Sequence, residues 1–262
     1  MFGASAPLDD VLVAARGAGF TEVGVDLASV EAHVAAGGTV AGLAARMGEL
    51  GLACSDVVVL ALTPDRYATL QRAGQLADLG TALGAPVCVA AVPEPVPWGD
   101  LVATTQACAD ILRPAGLRMA VEYLRYAALA TLADTVALCD AVGWGRAGVL
   151  VDSFHFFRCG PDWSTLDRLD GDQVALVQLS DGVARPSGTP ADDSRNARLV
   201  PGDDVLPLAS FLGALRRRAY DGPVSAEVLS SAVRAGEPGP FARRLHQAVA
   251  DVSRSSAPTL LR

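Results

Sequence analysis

Short apolar runs rich in β-branched residues alternate with longer Ala/Leu/Arg stretches along nearly the whole chain, and this alternation restricts the fold more than any other feature. The runs are 22–27 (EVGVDL), 54–62 (CSDVVVLAL), 86–92 (PVCVAAV), 118–123 (RMAVEY), 147–152 (AGVLVD), 174–179 (VALVQL) and 223–228 (PVSAEV). Most are continuously apolar, as strands covered on both faces must be. Between them, helical spacing of apolar residues predicts helices over 8–18, 40–50, 65–83, 100–115, 127–142 and 206–218. Strands that alternate with helices imply a parallel sheet with crossover connections. The 262 residues suit a single closed (β/α)8 barrel, which takes about 250. An open doubly wound sheet has little support, because no G-x-G-x-x-G follows a strand. The first barrel strand is short or missing, since only 1–6 is left to supply it.

Composition excludes several kinds of chemistry. All 21 positive charges are Arg and none is Lys, which removes Schiff-base aldolases, Lys-anchored pyridoxal enzymes and the phosphate-loop Lys of common NTPases. A net charge of −8 argues against a nucleic-acid partner. The hydrophobic fraction is 51%, yet no apolar run approaches the roughly 18 to 20 residues that cross a bilayer, so a soluble globular protein with no membrane partner is expected. Cys54, Cys88, Cys108, Cys139 and Cys159 form no C-x-x-C pair, and the N-terminus carries no basic-then-apolar signal pattern. Both features point to a reducing, cytoplasmic setting.

The segment 182–202 (GVARPSGTPADDSRNARLVPG) has no periodicity and is long for a connection inside a compact domain, which fits an active-site lid. Strand candidates finish on Glu122, Asp152, Gln178 and Glu227. An ionised carboxylate at the edge of an apolar core needs a cation, hydrogen bonds or a proton. In a barrel the C-terminal strand ends converge on one mouth, so these side chains can meet although they lie far apart in sequence. Three carboxylates and an amide oxygen make a hard site suited to Mn²⁺ or Mg²⁺, with Co²⁺ also able to enter. Zn²⁺ is a poorer match, because thiolate and imidazole ligands are lacking. His155 follows Asp152 by three residues and serves either a substrate or the structure, whereas His33 and His246 fall on helix-like stretches as surface or packing residues. Arg198, near the end of the long segment, either meets a substrate oxygen or carboxylate through its planar fork or is a solvated loop residue.

Taken in order, Glu122 in VEYL, the D-x-x-H of 152–155, QLSD of 178–181, R-x-x-P-G of 198–202 and SAEVL around Glu227 resemble the xylose isomerase-like barrel superfamily over about 14–249. Its sugar phosphate isomerase/epimerase branch includes tagatose 3-epimerase-like enzymes, hydroxypyruvate isomerase, inosose dehydratase and dehydroshikimate dehydratase. The resemblance implies a catalytic barrel over 1–252, a flexible tail over 253–262, and Glu122, Asp152, Gln178 and Glu227 as metal ligands. It also implies substrate contacts by His155 and Arg198. The third ligand of the family is most often His, and Gln178 in its place is similar to some dehydroshikimate dehydratases.

A divalent ion on a carbonyl and its neighbouring hydroxyl acts as Lewis acid and template, and a nearby carboxylate then removes the acidified proton. Glu122 and Glu227 are expected to be that acid/base pair. The resulting expectation is an isomerase or epimerase of a small keto-sugar or sugar phosphate. A dehydroshikimate dehydratase-like lyase acting on a hydroxy-keto acid is the alternative. A barrel that binds a polyol without turning it over is a third possibility, which the intact ligand set argues against. Abasic-site DNA cleavage by a relative conflicts with the negative charge. A homo-oligomer is compatible with the composition.

Overall fold

The central apolar runs become strands because side chains on both of their faces find cover, the inner face from other strands and the outer face from helices. The computed structural model describes residues 6–186 and 188–256. The strands are β1 (Glu22–Asp26), β2 (Ala53–Ala61), β3 (Val87–Ala91), β4 (Arg118–Glu122), β5 (Ala147–Asp152) and β6 (Val174–Leu179), then a short antiparallel pair β7 (Asp181–Gly182) and β8 (Arg198–Leu199), and β9 (Val224–Ala226). Among the described residues seven of these form one parallel sheet in the order β1-β2-β3-β4-β5-β6-β9. This is the expected α/β barrel, nearly closed: β1 and β9 both line one cavity of about 510 Å³. The expected first strand over 1–6 lies outside the described residues except for Ala6.

The alternation of side chains along each strand sorts the core into two compartments. Between sheet and helices lies a large apolar layer that includes Leu12, Leu60, Leu76, Leu112, Met119, Leu138 and Phe211. Inside the barrel, Val87, Val89, Ala120, Leu150 and Leu176 form a smaller plug. Two residues beyond Ala120, Leu150 and Leu176 stand Glu122, Asp152 and Gln178, so the periodicity that fills the barrel also points these polar groups inward at one end. No single helix among the described residues is long and apolar enough to cross a membrane.

Helix limits follow local capping more closely than apolar spacing. The helix expected over 127–142 spans Leu132–Val142, because Thr131 and Asp134 form a reciprocal capping box there. The segment 182–202, expected to be aperiodic, contains a helix at Pro190–Asn196. Thr189 caps it through Asp192, and Pro190 sits at its first position, a start signal legible in T-P-A-D. The last helix runs from Pro238 to Ser255, so the start of the expected tail, 253–255, is helical, and 257–262 lie outside the described residues.

Gly148 on β5 makes room inside the barrel. A Cβ there would lie 2.6 Å from Arg118 Nη2 and 2.8 Å from the Gln173 carbonyl, and that backbone oxygen cannot move aside. Gly148→Ala is expected to cost about 1–3 kcal/mol of stability by overpacking, read as a lowered urea midpoint at unchanged slope.

Candidate active site

Asp152 is both the last residue of β5 and the N-cap of the helix Ser153–Arg158. Its Oδ1 accepts hydrogen bonds from the backbone N–H of Phe154 (2.6 Å) and His155 (3.4 Å), which turns the chain so that His155 faces the barrel axis. Oδ2 accepts from Arg198 Nη1 at 2.6 Å. Asp152 is 1% exposed, and these partners offset the loss of water around its charge. Gln178 is its register partner on β6, and Glu122 closes β4 beside it. Glu227 follows β9 directly, its N–H donating to the Leu179 carbonyl at 3.1 Å. All four residues expected from the sequence therefore stand at the same end of the barrel.

His155 stands among them. Glu122, Asp152 and His155 each offer one potential ligand atom, mutually within 4.8 Å. Glu227 reaches Asp152 through Arg198, whose Nη1 lies 2.9 Å from Glu227 Oε2. Glu122 Oε1 and Gln178 Oε1 are buried with no hydrogen-bond partner in the protein. Two inward oxygens without donors fit a hard cation, which would complete them.

The charges set each group's proton affinity. Burial pushes the Glu122 carboxyl well above the usual range, reinforced by Glu227 and Asp152 and opposed by Arg198. Burial, together with the Arg198 charge, lowers His155 to about 3, so its ring is neutral. The 3.8 Å approach of His155 Nε2 to Glu122 Oε1 is thus no ion pair at neutral pH. Arg198 can only donate, so His155 Nε2, 3.2 Å from Arg198 Nη2, is an acceptor, and the network assigns the ring proton to Nδ1. Burial works against the Arg198 charge, but Asp152, Glu227 and Glu122 outweigh it and raise its pKa. At 2% exposure Arg198 is not the solvated loop residue the sequence allowed. Its Nε donates to the Ser194 carbonyl at 2.8 Å and Nη2 to Ser194 Oγ at 3.2 Å.

Three supporting residues were not singled out from sequence. Ser194, on the short helix, places its hydroxyl 3.3 Å from His155 Nε2. Asp181 accepts from the backbone N–H of Gly182, Gly202, Asp204 and Leu206 at 2.8–3.1 Å, and so anchors both ends of the long segment. Asp56, 3% exposed in the middle of β2, lines the same cavity as Gln178 and Glu227. The only outward sign of Asp56 is a Ser-Asp pair inside an apolar run, which a search of strand ends passes over. His33 and His246 lie on helices, as expected, and His246 packs edge-on against Phe20 at 5.0 Å. The thiols of Cys54, Cys88 and Cys139 are pushed up to about 12 by burial, which leaves them unreactive.

A sequence model described as xylose isomerase-like TIM barrel matches residues 12–249. An inosose isomerase of Halalkalibacterium halodurans is 27% identical over 121 residues, which make up 45% of this chain and 42% of that protein. A 3-dehydroshikimate dehydratase of Pseudomonas aeruginosa is 32% identical over 135 residues, 48% of this chain and 21% of that protein. The chain thus spans less than half the length of the curated relatives it matches. A crystal structure of IOLI protein with a binding zinc atom shares the fold, with a TM-score of 0.85 at 17% identity over 98% of both chains.

Asp56 supplies a stability test. Burial raises it from 3.8 to about 6, with Glu227 and Glu22 adding to the rise and the hydrogen bond from Ser55 (2.7 Å) opposing it. Between pH 4 and 6 the folded state holds this proton and the unfolded chain does not, so stability falls as pH rises through that window, by up to about 3 kcal/mol. Asp56→Asn is expected to match the wild type near pH 4 and exceed it at pH 7.5 in urea unfolding; equal stability at both pH values would contradict the assignment.

Proposed function

The chain belongs to the xylose isomerase-like TIM barrel family, and from that membership we propose that it is a divalent-metal-dependent isomerase or epimerase of a small hydroxy-ketone of the keto-sugar or keto-polyol type. The observation that carries this reading is the pair of unpartnered buried oxygens, Glu122 Oε1 and Gln178 Oε1, in a shell completed by Asp152 and Glu227. These four residues would hold the ion, and an all-oxygen set favours Mn²⁺ or Mg²⁺. When bound, the ion supplies Lewis acidity toward a carbonyl and its adjacent hydroxyl.

The remaining work belongs to the chain. Glu227 is the most accessible of the carboxylates, 26% exposed on its side chain, and lines the cavity of about 510 Å³. It is placed to take a proton from the carbon next to the substrate carbonyl. Glu122, at the end of β4, is the second carboxylate of the site and can return one to the other face. Reprotonation at the same carbon from the opposite face gives epimerisation, and at the neighbouring carbon isomerisation. His155 stays neutral and offers substrate oxygens no competing charge. Buried walls on β4, β5 and β6 keep water from the reacting carbon.

A second reading has its own support. Gln178 stands where the family more often has His, and the match to a 3-dehydroshikimate dehydratase is 32% identical. Loss of a β-hydroxyl after the same proton abstraction gives a dehydratase.

Glu227→Gln is expected to keep the fold, by circular dichroism, and to lower turnover about 10²- to 10⁴-fold, with matching loss of substrate proton exchange into deuterated water. Unchanged exchange would sink the acid/base assignment. Dehydroshikimate incubated with Mn²⁺-loaded protein separates the two readings: growth of the ultraviolet band of an aromatic acid establishes the lyase, and a silent spectrum removes it.

A further inference from the structure

Arg198 occupies a position that a substrate-contacting arginine does not require. Its guanidinium is 2% exposed, and every nitrogen has a protein partner. A single nitrogen, Nη1, bridges two of the carboxylates assigned above to a metal: Asp152 Oδ2 at 2.6 Å and Glu227 Oε2 at 2.9 Å. We propose that Arg198 is the chain's own counter-cation for this site and competes with a divalent ion for Asp152 and Glu227. The proposal rests on the metal reading above and goes beyond it in assigning the arginine a charge that opposes loading.

The reasoning is electrostatic. Glu122 and Asp152 have oxygens within 4.8 Å of each other, Arg198 bridges Asp152 to Glu227, and no lysine exists in the chain to neutralise them. Uncompensated carboxylates there would cost far more than surface charges do, so the fold needs a resident cation. A divalent ion drawing on the same oxygens would sit within a few ångströms of the guanidinium, where low effective dielectric makes repulsion between them strong. Removing the guanidinium charge therefore favours the ion, and only the loss of carboxylate positioning opposes that gain.

Competition would also be felt outside the pocket. Arg198 lies on β8, its backbone N–H donates to the Leu229 carbonyl at 3.1 Å, and its Nε ties it to Ser194 on the helix Pro190–Asn196. Arg158 fixes the same helix through Asp193 at 2.8 Å and the Val183 carbonyl at 2.8 Å. Arg234 holds the end of the helix through the Arg195 carbonyl and the Asn196 side chain, so weakening the Arg198 bonds releases one of three arginine anchors, and loading should loosen the segment from Pro190 to Leu199.

The test titrates Mn²⁺ into chelator-stripped full-length protein by calorimetry, comparing wild type with Arg198→Met. The variant is expected to melt at a lower temperature without Mn²⁺, to bind Mn²⁺ on the order of tenfold more tightly, and to gain more in melting temperature from it. Equal or weaker binding by the variant, with normal binding by the wild type, would overturn the counter-cation role and leave the metal reading standing. Binding by neither protein would remove both. Should Arg198→Met fail to fold, amide hydrogen exchange on the wild type decides: faster exchange across 190–199 with Mn²⁺ supports competition, and unchanged or slower exchange refutes it.

Discussion

Three carboxylates crowded at one end of a narrow apolar barrel, with a single buried guanidinium between two of them, form the constraint around which this structure is arranged. Such a group is stable only when each charge has a fixed partner, because removing carboxylates from water costs several kcal/mol each. Asp152 meets the requirement most fully, with two backbone donors on one oxygen and Arg198 on the other. Glu122 does not, and burial drives it toward its protonated form. The contrast between a fully paired Asp152 and an under-paired Glu122 is what makes the site chemically asymmetric.

The surrounding fold supplies that asymmetry through packing and backbone hydrogen bonds. Small residues inside the barrel, Ala120 and Gly148, let the plug of Val89, Leu150 and Leu176 close below the polar layer. The long segment after β6 is held by a different device: Asp181 gathers backbone donors from Gly182 and from Gly202, Asp204 and Leu206. It satisfies its own buried oxygens while fixing where β8, and hence Arg198, enters the site. A connection that looks featureless by composition is thereby tied to the barrel at both ends.

In this chain an amide, Gln178, stands at the strand ends beside Asp152, and an imidazole, His155, has a ring nitrogen within 4.8 Å of Glu122 and Asp152 oxygens. An amide oxygen adds a ligand without adding charge, so the balance between carboxylates and cations tips less negative than a further carboxylate would make it. In the proposed reaction that balance would set how strongly a substrate proton is acidified. It also explains why Arg198 matters more here than a loop arginine usually does.

Much of the architecture was legible in sequence, because strand and helix periods differ and each leaves its own spacing of apolar residues. The strands beginning at Glu22, Ala147 and Val174 and the helices Leu8–Ala18 and Val40–Leu50 fall where the apolar pattern places them. Glu122, Asp152, Gln178 and Glu227 were visible as polar ends of apolar runs, since parallel strands in a barrel share one polarity. Tertiary structure alone decided which of them touch. Register set Asp152 beside Gln178, and the anchoring of the long segment carried Arg198 between Asp152 and Glu227. Asp56 was hidden for the same reason, as a mid-strand carboxylate acquires meaning only from the seam between β1 and β9 that it faces. Period is a property of neighbours along the chain and can be read from them, whereas charge pairing depends on distances between segments that only the folded barrel brings together.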